Sequence, residues 1–155
     1  MSTIEQSIDV RVPVRAAYNQ WTQFEDFPQF MDGVERIDQV SDTRTHWVTN
    51  IAKVRREFDA EITEQRPDER IAWTSVGEPR QAGVVTFHRL APDTTRVMLQ
   101  LEFAPQGMAE KAADALHLVE HRVKGDLRRF KEFIEERGGQ ETGSWRGEVG
   151  QDPTS

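Results

Sequence analysis

Residues 107–139 read GMAEKAADALHLVEHRVKGDLRRFKEFIEERGG. Ala112, Leu116, Val119, Val123, Leu127, Phe130 and Ile134 recur at steps of three and four. That spacing is one apolar stripe along an otherwise charged helix. Gln106-Gly107 opens the element and Gly138-Gly139 ends it. At 1.5 Å per residue the helix runs roughly 45 Å, enough to cross a whole sheet. A stripe of that length must cover an apolar surface, so the fold is decided by what lies upstream.

Upstream, Val34 to Phe103 reads as consecutive strands with short turns at Ser41-Asp42, Pro67-Asp68, Gly77-Glu78-Pro79 and Pro92-Asp93. No helix-length pattern separates them. Parallel strands need long crossovers, so an antiparallel meander is expected. Phe58, Ala60 and Ile62 alternate with Glu57, Asp59 and Glu61, and Val97, Leu99, Leu101 and Phe103 with Arg96, Met98, Gln100 and Glu102. Residues 34–40 are less regular, with Val34, Ile37 and Val40 three apart, which suggests a bulge within that run. Residues 4–12 form one more alternating strand, ended by Pro13. Residues 14–24 read as a short helix, and Pro28 precedes a second short turn to about Met31. The expected class is α+β: a curved antiparallel sheet of about seven strands wrapped around the long C-terminal helix, with two short helices after the first strand. Residues 1–138 are expected to form one domain, and 139–155, rich in Gly, Ser, Thr and charge, a mostly flexible tail.

Composition narrows the function. The chain has 155 residues, enough for one domain with a substantial core. Its net charge of −7 argues against a nucleic-acid partner, which calls for a basic patch. No run approaches a transmembrane length, and MSTIEQSIDV shows no signal-peptide pattern, so a cytoplasmic protein without stable membrane insertion is expected. There is no cysteine, hence no disulfide or thiolate chemistry.

Few residues suggest catalysis. His117-Leu118-Val119-Glu120-His121 fits H-x-x-E-H, an inverted zinc-protease pattern. Both imidazoles, however, lie roughly 115° and 155° from the stripe centre, on the solvent side of the helix. No metal is therefore expected. The facing of His46 and His88 is open. Glu57, Asp59 and Glu61 oppose Phe58, so they read as the outer face of the sheet. Arg56 shares parity with Phe58 and points toward the concave side, where a guanidinium would hold a ligand oxygen. The plainer reading is an arginine reaching water at a strand end. No catalytic residue and no cofactor is assigned.

The local phrases carry a resemblance. VPVRAAYNQWTQFEDFPQFMDGVE (12–35), FDAEITEQRPDERIAWTS (58–75) and AGVVTFHRL (82–90) are similar to small bacterial cyclase/dehydrase proteins. These belong to the START-like (SRPBCC) superfamily and are related to coenzyme-Q-binding START-type domains. ETGSWRGEV (141–149) also looks like some members. The resemblance implies a helix-grip fold over residues 1 to about 137, with a cavity between sheet and C-terminal helix. It further implies that the two short helices form a V closing one end of that cavity.

On that basis Trp47, Phe58, Ile62, Trp73, Phe87, Leu101, Phe103, Leu116 and Val119 are expected to line the cavity. Phe27, Phe30 and Met31 sit near its mouth. They end the run YNQWTQFEDFPQF (18–30), whose five aromatics fall three apart. Tyr18, Trp21 and Phe24 then read as corner packing. Three functions stay open. The chain binds an apolar small molecule such as a polyketide, quinone or lipid. It cyclises or dehydrates a polyketide in the same cavity. Or it is a ligand-free accessory or stress-related protein, which a cavity too small for a ligand of about 300 Å³ would favour.

Overall fold

In a computed structural model the backbone is described for residues 2–51, 54–77, 81–103 and 109–149. Side chains are described for the same residues except 2, 51, 54, 103 and 109–117. The first strand, β1 (Ser2–Val10), buries Ile4 and Val10 and exposes Glu5, Ser7 and Asp9, as its alternation demands. Helix α1 (Val14–Trp21) and a 3-10 helix (Phe24–Gln29) follow. Six strands come next: β2 (Val34–Gln39), β3 (Arg44–Ile51), β4 (Val54–Arg66), β5 (Arg70–Val76), β6 (Gln81–Ala91) and β7 (Thr94–Phe103). The last element is α2 (Ala109–Glu136).

All strand pairs are antiparallel, in the order β1-β7-β6-β5-β4-β3-β2. The meander therefore lies in sequence order, and β1 joins the far edge beside β7. The two short helices connect β1 at one edge to β2 at the other. The sheet curls around α2, whose Val123, Leu127, Phe130 and Ile134 are buried in the same core as Val85, Val97 and Leu99. Gly138 and Gly139, at φ +66° and +79°, end α2. Gly139 N donates to the Ile134 carbonyl at 3.0 Å, satisfying one of the helix's last acceptors.

Three details differ from the sequence reading or sharpen it. First, the break in the aromatic run falls at Thr22-Gln23, and Pro28 lies inside the second helix instead of dividing the two. The second helix has three residues per turn, so Phe24, Phe27 and Phe30 at strict spacing of three share one face. Second, the expected bulge is present where register shifts between Val34 and Arg36. A further shift between Ile62 and Glu64 in β4 reverses parity, so Gln65 turns inward with 1% of its surface exposed.

Third, residues 140–149 fold back across α1, where the sequence suggested a flexible tail. Asn19 Nδ2 donates to Glu141 at 3.1 Å, and Gln20 exchanges two bonds with Thr142, at 3.0 and 2.9 Å. Trp145 N donates to Thr22 Oγ1 at 3.0 Å. Arg146 bridges Asn19 at 2.6 Å and Asp68 at 2.8 Å. Val149 pairs antiparallel with Gln65 of β4 through two bonds of 3.0 Å. Within the segment, a Cβ at Gly147 would meet the Trp145 ring at 2.5 Å, so the indole lies against bare backbone there.

Candidate functional site

The concave face of β3 to β7 and one flank of α2 enclose an apolar cavity of about 130 Å³. Trp47 and Phe58 stack as cross-strand partners, ring centroids 5.9 Å apart and planes 12° apart. Phe27 meets Trp47 edge-on at 6.1 Å and ties the 3-10 helix to that wall. Trp21, Met31, Val34, Leu99 and Leu101 complete most of the apolar surface. Trp73 reaches the cavity because its cross-strand partner is Gly83. A Cβ there would sit 2.4 Å from the Trp73 ring and 2.9 Å from Leu101.

The expected residues separate into three groups. Phe27, Met31, Trp47, Phe58, Trp73 and Leu101 line the cavity. Phe30, Ile62 and Phe87 are buried elsewhere in the core. Phe30 packs on Phe130 and Phe133 at 5.2 and 5.4 Å, and Phe87 on Tyr18 at 5.4 Å, so neither borders the space. Val119 is half-buried against the core but outside the lining. Arg56 is exposed: it sits opposite Thr49 near the start of β4, and its side chain reaches water. Phe103 and Leu116 fall outside the described side chains.

Sequence reasoning missed the polar side of the cavity. Arg122 and Asp126 line it from α2, one position before the buried Val123 and Leu127. Their i, i+4 spacing places them together on the flank of the stripe, a signal readable in the sequence had the flank been considered. Arg122 Nε is buried without a hydrogen-bond partner among the described residues, and so is Nε1 of Trp21 on another wall. Asp126 accepts from Arg129 and from Asp32 N, the latter at 3.3 Å. Burial nevertheless raises its carboxyl above the ordinary aspartate range, with Arg129 acting in the opposite direction. Arg129 also donates to the Phe30 carbonyl at 3.1 Å, which anchors the end of the 3-10 helix to α2.

The histidines lie elsewhere. His46 is on the outer face, with Nδ1 2.7 Å from Asp59 and Nε2 3.4 Å from Glu57. Its pKa is raised, chiefly by the bond to Asp59. His88 is exposed beside Thr86, at 3.0 Å. His121 is exposed, Glu120 pairs with Lys124 at 4.0 Å, and the His117 side chain is outside the described set. Among the described residues no three His, Asp or Glu groups converge as a metal site.

A curled antiparallel sheet gripping one long helix, with an apolar cavity between them, defines a START-like helix-grip protein. Solved structures share that fold. A START superfamily protein from Mycobacterium smegmatis superposes with a TM-score of 0.75 at 12% identity, over 87% of this chain and 98% of that one. The Zhui aromatase/cyclase from Streptomyces sp. R1128 gives 0.76 at 12% identity, over 88% and 95%. The chain belongs to the family described as polyketide cyclase / dehydrase and lipid transport, which matches residues 10–132. It is also 67% identical over 150 residues to the "uncharacterized 17.2 kDa protein in melC2-rnhH intergenic region" of Streptomyces lincolnensis. That match covers 96% of this chain and 99% of the relative. No helix among the described residues is long and apolar enough to cross a membrane.

Proposed function

We propose that this protein binds an apolar small molecule by taking one ring-sized group, with an acceptor oxygen, into the cavity between sheet and α2. The observation that carries this reading is an aromatic-walled apolar cavity with one arginine, Arg122, in its lining. A ligand carbonyl or phenol oxygen suits a guanidinium on such a wall, whereas a pure hydrocarbon does not use it. Size restricts the ligand. A space of about 130 Å³ is below the range of whole drug-sized ligands, roughly 300 Å³ and upward, and close to a cavity that accepts benzene. A quinone or a single polyketide ring suits it, with any longer portion outside.

Native mass spectrometry of the purified protein, followed by titration with a naphthoquinone, tests the reading. One-to-one saturable binding is expected, lost in Leu101→Trp, which fills the cavity. Absence of saturable binding across quinone, polyketide and lipid probes leaves the ligand-free accessory reading standing.

One observation favours an enzymatic second reading. Asp126 is a carboxyl whose protonated form is favoured by burial, beside an arginine that can steady an enolate. Asp126→Asn separates the two readings. Naphthoquinone affinity is kept under either reading, and only a cyclase or dehydratase shows wild-type turnover of a poly-ketone substrate that the substitution abolishes.

A further inference from the structure

Helix α1 and the 3-10 helix are held from two sides. On one side Trp21 and Phe27 line the apolar cavity. On the other, Asn19, Gln20 and Thr22 bond to residues 141–146, and Asp26 accepts from the Thr142 hydroxyl. Asn19 lies about 200° round the helix from Trp21, on nearly the opposite face. The same wall thus meets a cavity on its inside and a docked chain segment on its outside.

The segment also ties α1 to the sheet. Arg146 bridges Asn19 and Asp68 of the β4–β5 turn, and its guanidinium lies 5.5 Å from the centre of the Tyr18 ring. Val149 pairs with Gln65 in β4. Strand β3 pairs with β4 only as far as Glu61, so Val149 takes an edge that β3 leaves open. These contacts lie beyond residue 132, where the family match ends. No residue after Leu127 lines the cavity. Any effect of the segment on a ligand therefore passes through α1 and the 3-10 helix.

A ligand against Trp21 and Phe27 favours the one placement of these helices that shapes the cavity. The segment favours the same placement from outside. Whichever binds first meets the entropy cost of ordering them, and the second then binds more tightly. We propose that residues 140–149 act as a strap on the ligand site: their docking and ligand binding strengthen each other through α1 and the 3-10 helix. Such coupling presupposes the ligand site proposed above. By linkage its factor is the same in both directions.

Naphthoquinone titration of the full chain and of a chain ending at Gly139, with hydrogen exchange on the full chain, tests the strap. Truncation is expected to weaken naphthoquinone binding by about fivefold. Saturating naphthoquinone should slow exchange of the Thr142, Trp145 and Val149 amides by a like factor, because the undocked state that exposes them is the state that binds less tightly. In Leu101→Trp, whose cavity is filled, naphthoquinone should leave those amides unchanged. Arg146→Gln removes contacts of the strap and none of the cavity, and should give a smaller loss of affinity in the same direction. If the shortened chain does not fold, Arg146→Gln and exchange on the full chain make the same comparison. Either of two results overturns the strap: affinity equal with and without its contacts, or the three amides exchanging at one rate whether or not naphthoquinone is bound. Absence of saturable binding to the full chain is a different result. It removes the ligand site itself, and the strap's role with it.

Discussion

Phe30 is 1% exposed, and its ring meets those of Trp21, Phe27, Phe130 and Phe133. Its place near the presumed mouth in the sequence gave way to its place on one face of the 3-10 helix. Phe30→Ala and Trp21→Ala are each expected to cost about 3–5 kcal/mol of stability, measured by urea unfolding. A Phe30→Ala protein that keeps wild-type stability contradicts this placement. His46 gives a pH-dependent prediction. Its folded pKa is raised by Asp59 and Glu57 above an unfolded value of about 6.5. The stabilisation is therefore fully present below about pH 6.5 and is lost as pH rises through the folded pKa. His46→Gln should lower stability at pH 5.5 by at most about 1 kcal/mol, because the pair lies at the surface, and by almost nothing at pH 8.5. Equal losses at both values would point to packing, not charge.

Among the elements, β6 holds a position with no room for a side chain. Gly83 faces Trp73 on one side and Leu101 on the other, at distances that leave no room for a Cβ. Gly83→Val should push the indole from its seat and cost about 1–3 kcal/mol, as overpacking does. It should also block naphthoquinone binding and shift the tryptophan fluorescence. Unchanged binding with an unmoved spectrum would remove Trp73 from the proposed site. The same elements show what the sequence could reveal. The meander and α2 were legible because periods of two and 3.6 persist over many residues in them. The 3-10 helix was not, because a proline looks like a break while this tighter helix accommodates it near its end. Gln65 was misplaced because one extra residue in β4 reverses every later side chain. Arg122 and Asp126 escaped because they flank the apolar stripe, where a charged side chain ordinarily reads as solvated.

For the molecule as a whole, β1 and β2 are opposite edges of one curled sheet, and the short helices span the gap between them. Their α1 segment carries Asn19, Gln20 and Thr22, all buried polar residues. In a chain ending at Gly139 these groups would lose the partners that residues 141–146 supply. Each such bond contributes about 0.5–1.5 kcal/mol net. Ordering ten residues opposes it by roughly 1–2 kcal/mol apiece in backbone entropy. The two contributions are comparable, so the docked segment should be held only marginally in spite of its many bonds. Truncation after Gly139 is then expected to lower global stability by no more than about 2 kcal/mol, with the sheet intact by circular dichroism. Hydrogen exchange on the full chain should show the amides of Thr142, Trp145 and Val149 opening far more readily than those of β7. Protection of those three amides as strong as in β7 would mean that the segment unfolds only with the whole domain. The C-terminal residues would then be part of the cooperative core.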